Sequence, residues 1–199
     1  MRTAVLVSGR GSNLQVFLDA WTQGTLAIEI VAVGSDQEDA QALERARQAG
    51  VSVRAFPLGA YPNRRAQERE LLGWLKDLGV ELLLLAGYMR VLSGEFVREA
   101  GFPILNIHPS LLPAFPGTQA QRQALEYGVK VSGCTVHFVD EGLDSGPIIL
   151  QEAVPVQSED TEESLAVRIL EVEHRLYPEA VRLLLAGKFK RSGRIITVI

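Results

Sequence analysis

The run Leu82-Leu83-Leu84-Leu85-Ala86 constrains the fold of this chain more than any other stretch. With Val80 it forms a near-continuous apolar strand over residues 80–86. A strand that does not alternate must be buried on both faces, as in the middle of a parallel sheet. Residues 3–7, 28–33 and 51–56 read as further strands, the second stopped by Gly34. Helical spacing separates them: Leu14, Phe17, Leu18 and Trp21 after the first, residues 40–49 with Gly50 as a stop after the second, and residues 61–78 after the third. Ser93 caps a helix that Gly101 closes, and an apolar strand over residues 103–105 then runs into Asn106 and His108. This alternation predicts a parallel, doubly wound sheet.

Beyond residue 118 the pattern changes. A helix is expected over residues 119–127, ended by Gly128. Strands over residues 131–139 and 148–156 flank an acidic turn and read as a long hairpin. A long helix follows over residues 161–185, with Thr161, Glu163 and Ser164 at its start and Gly187 at its end. Residues 189–191 and 194–198 form a possible terminal hairpin around Ser192-Gly193. The expected architecture is one α/β domain over residues 1–199, Rossmann-like and doubly wound. Its mixed sheet is parallel in the N-terminal half and carries an antiparallel hairpin toward the C-terminus.

Composition narrows the function classes. A net charge of -4 without a basic block argues against a nucleic-acid surface. A single cysteine excludes an internal disulfide and fits a reducing compartment. No apolar run approaches the roughly 20 residues that span a bilayer. The N-terminus lacks a signal-peptide layout. The expectation is a cytoplasmic protein without a membrane or nucleic-acid partner.

Asn106 and His108 lie two apart in an extended segment and so point to one side. Pro109 stops the strand, and Pro113 and Pro116 stiffen the loop behind it. An amide that donates to a developing oxyanion, beside an imidazole that moves a proton, suits acyl transfer through a tetrahedral intermediate. His137, between Val136 and Phe138 in a strand, reads as a hydrogen-bonded structural residue, and His174 as a surface or packing residue. Asp140, Glu141 and Asp144 form either a solvated turn or a turn from which one carboxylate pairs with His108. No second histidine or cysteine has metal-ligand spacing, and Cys134 reads as a small buried apolar residue.

Ser8-Gly9-Arg10-Gly11-Ser12-Asn13 joins the first strand to its helix, with Ser12 or Asn13 as the expected cap. Leu14 stands where a dinucleotide fingerprint has its third glycine, and no Walker lysine is present. The loop is either a phosphate cradle at a helix start or a plain joint. Arg64 and Arg65, near another helix start, oppose the helix dipole; they are a solvated pair or an anion contact.

Four segments carry a family resemblance: Ser8-Gly9-Arg10-Gly11-Ser12-Asn13-Leu14-Gln15; Leu85-Ala86-Gly87-Tyr88-Met89-Arg90; Leu105-Asn106-Ile107-His108-Pro109-Ser110-Leu111-Leu112-Pro113; and Val136-His137-Phe138-Val139-Asp140 with Asp144-Ser145-Gly146-Pro147. Over about residues 3–185 the chain resembles the phosphoribosylglycinamide formyltransferase family, a branch of the folate-dependent formyltransferases. The resemblance implies the formyltransferase fold and transfer of a formyl group from 10-formyltetrahydrofolate to the amine of glycinamide ribonucleotide (GAR), a step of purine (IMP) biosynthesis, with no metal. It implies Asn106, His108 and Asp144 as catalytic residues, the carboxylate keeping the imidazole charged and helping to relay the proton.

For GAR it implies Gly11, Ser12 and Asn13 at the phosphate, with Leu170, Glu171, Val172 and Glu173 on the long helix. For the folate it implies Arg64 at the glutamate tail, then Met89, Arg90, Val91, Leu92, Asn106, Asp140, Glu141, Gly142, Leu143 and Asp144. The phosphate- and substrate-binding part would cover about residues 1–100, and the folate-binding and catalytic part about residues 101–187. A monomer or a homodimer is expected. Gln119 departs from the family pattern, which often has a histidine after the Pro-Gly; it is expected to hydrogen-bond near Asp144. Three other functions compete with this resemblance. Methionyl-tRNA formyltransferase would need a further C-terminal domain that the length excludes. A formyltetrahydrofolate deformylase would usually carry an N-terminal regulatory domain, whereas this chain begins at the first strand. A passive binder of folate or sugar phosphate has no use for Asn106, His108 and Asp144 together.

Overall fold

The computed structural model describes residues 1–199 and divides into two compact units, residues 1–105 and 106–199. The first unit runs β1 (Arg2–Val7), α1 (Ser12–Thr22), β2 (Glu29–Ser35), α2 (Gln41–Gln48), β3 (Ser52–Ala55), a 3-10 turn (Leu58–Ala60), α3 (Arg64–Asp77), β4 (Leu82–Leu85) and α4 (Gly94–Ala100). β1 pairs in parallel with both β2 and β4, and β2 in parallel with β3. The leucines of β4 and residues Ala4, Val5, Leu6 and Val7 of β1 are at most 5% exposed. Burying each leucine stabilises the fold by about 1.5–3 kcal/mol. That is why the apolar run does not alternate.

Three local features differ from the sequence pattern. Gly34 lies inside β2 instead of ending it. A Cβ at that position would stand 2.7 Å from Leu6 Cδ2, so the small residue serves strand packing. The cap of α1 is neither Ser12 nor Asn13 but Gly11, in the left-handed conformation with φ 74°. Elsewhere the caps follow the sequence: Ser93 accepts from Phe96 N–H at 3.1 Å, and left-handed Gly101 closes α4. Helix α3 starts later than its apolar spacing suggests, because Asn63 caps it by accepting from Ala66 N–H.

The second unit takes in β5 (Ile104–His108) from Asn106 onward, then α5 (Ala120–Tyr127), β6 (Val131–Phe138), β7 (Ile148–Pro155), α6 (Glu162–Leu185), β8 (Phe189–Ser192) and β9 (Ile195–Val198). β6 and β7 are antiparallel, with an irregularity between Val136 and His137. Such bulges re-aim side chains near sites. α6 opens on a capping box in which Thr161 and Ser164 satisfy each other's backbone N–H. It continues through Pro178, whose missing N–H would usually break a helix. Burial of Leu165, Ile169, Tyr177, Ala180 and Val181, each fully buried, holds it together.

The seven strands form one sheet in the order β3-β2-β1-β4-β5-β6-β7, and β8–β9 is a separate antiparallel pair. The mostly parallel α/β sheet with antiparallel C-terminal pairing agrees with the sequence pattern. No helix is long and apolar enough to cross a membrane.

Candidate active site

Strand β5 extends past its apolar start and carries both polar side chains. His108 is buried, with 4% of its surface exposed. Its Nε2 lies 2.8 Å from the Phe115 carbonyl oxygen. A carbonyl only accepts, so Nε2 carries the hydrogen and donates. Its Nδ1 lies 3.4 Å from Asp144 Oδ2. The same carboxylate oxygen accepts from Gly117 N–H at 2.7 Å, while Oδ1 stands 3.5 Å from Asn106 Nδ2. Asn106, His108 and Asp144 are therefore brought together within the second unit. Of the three acidic residues in the turn, Asp144 is the one on the histidine. Asp140 instead closes the turn on itself, accepting from Gly142 N–H at 3.0 Å and the Ser145 hydroxyl at 2.6 Å. Glu141, Gly142 and Leu143 are exposed.

His137 belongs to this network, which its place in a strand did not reveal. Its Nδ1 donates to the Phe138 carbonyl at 2.9 Å, so Nε2 of the neutral ring is an acceptor. Asn106 Nδ2 lies 3.2 Å from that Nε2. The Asn106 amide is thereby oriented with its NH2 toward His137 and Asp144. Burial pushes the His137 pKa down from its ordinary value; the Phe138 hydrogen bond and the Asp144 and Asp140 charges oppose this, and His108 adds to it. Gln119 does not share in the grip on Asp144. It is an exposed left-handed residue with φ 61° just before α5, and Asp144 is held by Gly117, Asn106 and the histidines.

On α6, Val172 and Glu173 are buried and Glu171 is exposed; Leu170, three residues before Glu173, shares its side of the helix. Cys134 is fully buried, and its thiol pKa is pushed up to about 12, first by burial and then by the Glu173 and Glu152 charges.

In the first unit, the loop of residues 8–13 is pinned against α2. Ala42 N–H donates to Gly9 O at 3.0 Å and Arg45 Nε to Arg10 O at 2.9 Å. Gly11, Ser12 and Asn13 form the start of α1, whose first-turn N–H groups lack intrahelical acceptors. Residues 87–93 are tied to the same loop. The Ser8 hydroxyl donates to Asp36 Oδ1 at 2.5 Å and accepts from Met89 N–H at 2.8 Å. Arg90 Nε pairs with Asp36 Oδ2 at 3.1 Å, and Asp36 is only 3% exposed. Met89 and Val91 are exposed apolar residues, and Leu92 is buried.

The two arginines at the start of α3 both have partners. Arg64 Nε pairs with Glu68 at 2.8 Å and its other nitrogen donates to the Val91 carbonyl, while Arg65 pairs with Glu95 at 2.7 Å. Three contributors escaped the sequence reading: Asp36, the Phe115 carbonyl and the Gly117 N–H; His137 is the buried, hydrogen-bonded strand residue that its sequence context indicates, with Asn106 as one partner. Asp36 stands just past a strand end, which is a usable signal in an open α/β sheet. Backbone groups leave no mark on residue type.

The end of β5 sets an amide and an imidazole against the carboxylate of the β6–β7 turn, an arrangement that can donate to an oxyanion and move a proton. The chain belongs to the formyl transferase family, whose model matches residues 1–181. It is 43% identical over 190 residues to "Phosphoribosylglycinamide formyltransferase" of Escherichia coli (strain K12), covering 96% of this chain and 90% of that protein. It is 48% identical over 197 residues to "Trifunctional purine biosynthetic protein adenosine-3" of Drosophila pseudoobscura pseudoobscura, covering 98% of this chain. The chain spans only 14% of that relative's length, and 20% of the bovine protein of the same name. Among solved structures, it superposes on glycinamide ribonucleotide transformylase 1 from Symbiobacterium toebii with a TM-score of 0.96 at 53% identity, covering 100% of this chain and 94% of that one.

Proposed function

We propose that the chain transfers the formyl group of 10-formyltetrahydrofolate to the amine of glycinamide ribonucleotide, a step of purine biosynthesis. The observation that carries this reading is the network in which Asp144 accepts from Gly117 and stands against His108 and Asn106. The names of the relatives support glycinamide ribonucleotide as the formyl acceptor, and the folate donor follows the family resemblance. The amine nitrogen attacks the formyl carbon, and the carbonyl oxygen becomes an oxyanion. Asn106 donates to that oxygen, with His108 as the second donor. When the intermediate collapses, the bond from carbon to the folate nitrogen breaks. The amine loses a proton, the folate nitrogen gains one, and His108 with Asp144 carries the transfer. Each preorganised donor at such an oxyanion is worth about 2.7–4 kcal/mol.

The binding residues follow the family pattern. Gly11, Ser12 and Asn13 hold the phosphate, which suits the positive end of the α1 helix dipole. Leu170, Glu171, Val172 and Glu173 receive the rest of GAR, with buried Glu173 as the polar contact. Met89, Arg90, Val91, Leu92, Asp140, Glu141, Gly142, Leu143 and Asp144 serve the folate, and Arg64 its glutamate tail. We treat residues 1–199 as one formyltransferase domain with these two parts, active in the cytoplasm as a monomer or a homodimer.

The test is His108→Ala, with release of tetrahydrofolate and equilibrium binding of both substrates measured separately. The expected result is a loss of turnover of about 10²–10³-fold or more with substrate affinities nearly unchanged. Parallel loss of turnover and affinity would assign His108 to binding or folding instead.

A further inference from the structure

Two loops of the first unit meet on one buried carboxylate. Asp36 lies just past the end of β2 and is 3% exposed. Its Oδ1 accepts from the Ser8 hydroxyl at 2.5 Å, and its Oδ2 accepts from Arg90 Nε at 3.1 Å and Gln37 Nε2 at 3.0 Å. The Ser8 hydroxyl in turn accepts from Met89 N–H at 2.8 Å, and Ser8 N–H donates to Gly87 O at 3.1 Å. Ser8 opens the loop that leads into α1, and residues 87–93 join β4 to α4. Hydrogen bonds to a charged acceptor are the strong ones, and a chain of them polarises its members. A second buried carboxylate holds the far end of the 87–93 segment. Glu68 accepts from Ser93 N–H at 3.0 Å, from the Ser93 hydroxyl and from Arg64 Nε at 2.8 Å, and Arg64 also donates to Val91 O. Both charges reach Tyr88, whose hydroxyl pKa is pushed up first by burial and then by Asp36 and Glu68. Glu68 binds within α3 and this segment, whereas Asp36 also binds Ser8.

We propose that Asp36 is a positioning residue that joins the loop of residues 8–13 to the segment of residues 87–93, so that a ligand seated on either one strengthens binding of a ligand on the other. Ordering one loop fixes Asp36, through Ser8 or through Arg90. The second loop then has less freedom to lose when its own ligand arrives, and the coupling is reciprocal. The joint belongs to the free protein. The choice of ligands, GAR on residues 11–13 and the folate on residues 89–92, rests on the transfer reading above.

The test compares Asp36→Asn with Glu68→Gln. Each variant keeps the shape of the side chain and turns one accepting oxygen into a donor, so one partner is lost. Amide hydrogen exchange of the ligand-free full chain reads the joint itself. Asp36→Asn should speed exchange both in residues 9–13 and in residues 88–91, and Glu68→Gln in the 87–93 segment without residues 9–13. Calorimetric titration of GAR, with and without saturating tetrahydrofolate, reads the coupling without turnover. In wild type, tetrahydrofolate should tighten GAR binding by about fivefold or more. Glu68→Gln should weaken tetrahydrofolate and keep that factor, whereas Asp36→Asn should bring the factor close to one. If Asp36→Asn does not fold, Ser8→Ala takes its place, since it cuts the link to Met89 and leaves the Arg90 pair. A wild type that binds both ligands without coupling would overturn the proposal. So would a factor unchanged in the Asp36 or Ser8 variant, a factor lost equally in Glu68→Gln, or faster exchange confined to one of the two loops. Faster exchange in both loops of a protein that binds neither ligand would keep the joint and remove the transfer reading.

Discussion

Replacing Gly11 by alanine separates a structural demand from mere loop composition. The added Cβ would stand 2.5 Å from Ala42 Cβ and 2.9 Å from Ala42 Cα, and the backbone there has φ 74°. The second atom belongs to helix α2, so no side-chain rotation relieves the clash. Overpacking of this kind costs about 1–3 kcal/mol, and a left-handed residue with a Cβ about 1–2 kcal/mol. Together Gly11→Ala should lose about 2–5 kcal/mol, which for a chain of this length lowers Tm by about 4–20 °C. Gly9→Ala is the control from the same loop: nothing lies within 4 Å of its added Cβ, and its φ is not left-handed. Urea unfolding followed by circular dichroism, with a thermal melt of each variant, reads the difference. Two variants of equal stability, or a Gly11→Ala as stable as wild type, would refute the claim that the loop is packed against α2. Because the same loop is the proposed phosphate cradle, Gly11→Ala should also weaken binding of the nucleotide substrate.

Two other outcomes follow from buried groups. His137 has its pKa lowered mainly by burial, so near pH 6 the unfolded chain holds a proton there that the folded chain does not. Stability should be constant above the unfolded value of about 6.5 and fall as pH drops below it. His137→Asn should flatten that decline between pH 7.5 and 5; part of the slope should persist because burial lowers the pKa of His174 in the same direction. The Cys134 thiol, fully buried with its pKa pushed up to about 12, should resist a thiol reagent at pH 8 in the folded protein and react at once in denaturant. Fast labelling of the native chain would contradict its burial.

The sheet was legible because its strands are buried on two faces and its helices on one, and that difference is written into Leu82, Leu83, Leu84 and Leu85 against the spacing of Leu14, Phe17 and Leu18. Asn106 and His108 were legible because extended backbone puts residues two apart on one side. Asp144 needed the folded turn: in sequence it is indistinguishable from Asp140, and only the chain path sends one carboxylate to the histidine and the other back to Gly142 and Ser145. Arg64 and Arg65 looked like cations lacking a reason, since Glu68 is the sole partner within a helical turn and Glu95 lies 30 residues away. Gln119 was expected near Asp144 because the family pattern often has a histidine there, but the left-handed turn before α5 leaves it exposed. Cap and strand-end errors at Gly11 and Gly34 share one cause. Both glycines are there because another element packs on them, and packing is not local.

The central claim is that an amide, an imidazole and a carboxylate move a formyl group onto an amine. The most direct measurement follows tetrahydrofolate release from 10-formyltetrahydrofolate with and without glycinamide ribonucleotide, and identifies by mass spectrometry where the formyl group goes. Release that depends on the amine, with one formylated amine for each tetrahydrofolate, is the predicted result. Release at the same rate without the amine, with formate as the product, would show a hydrolase and contradict the account.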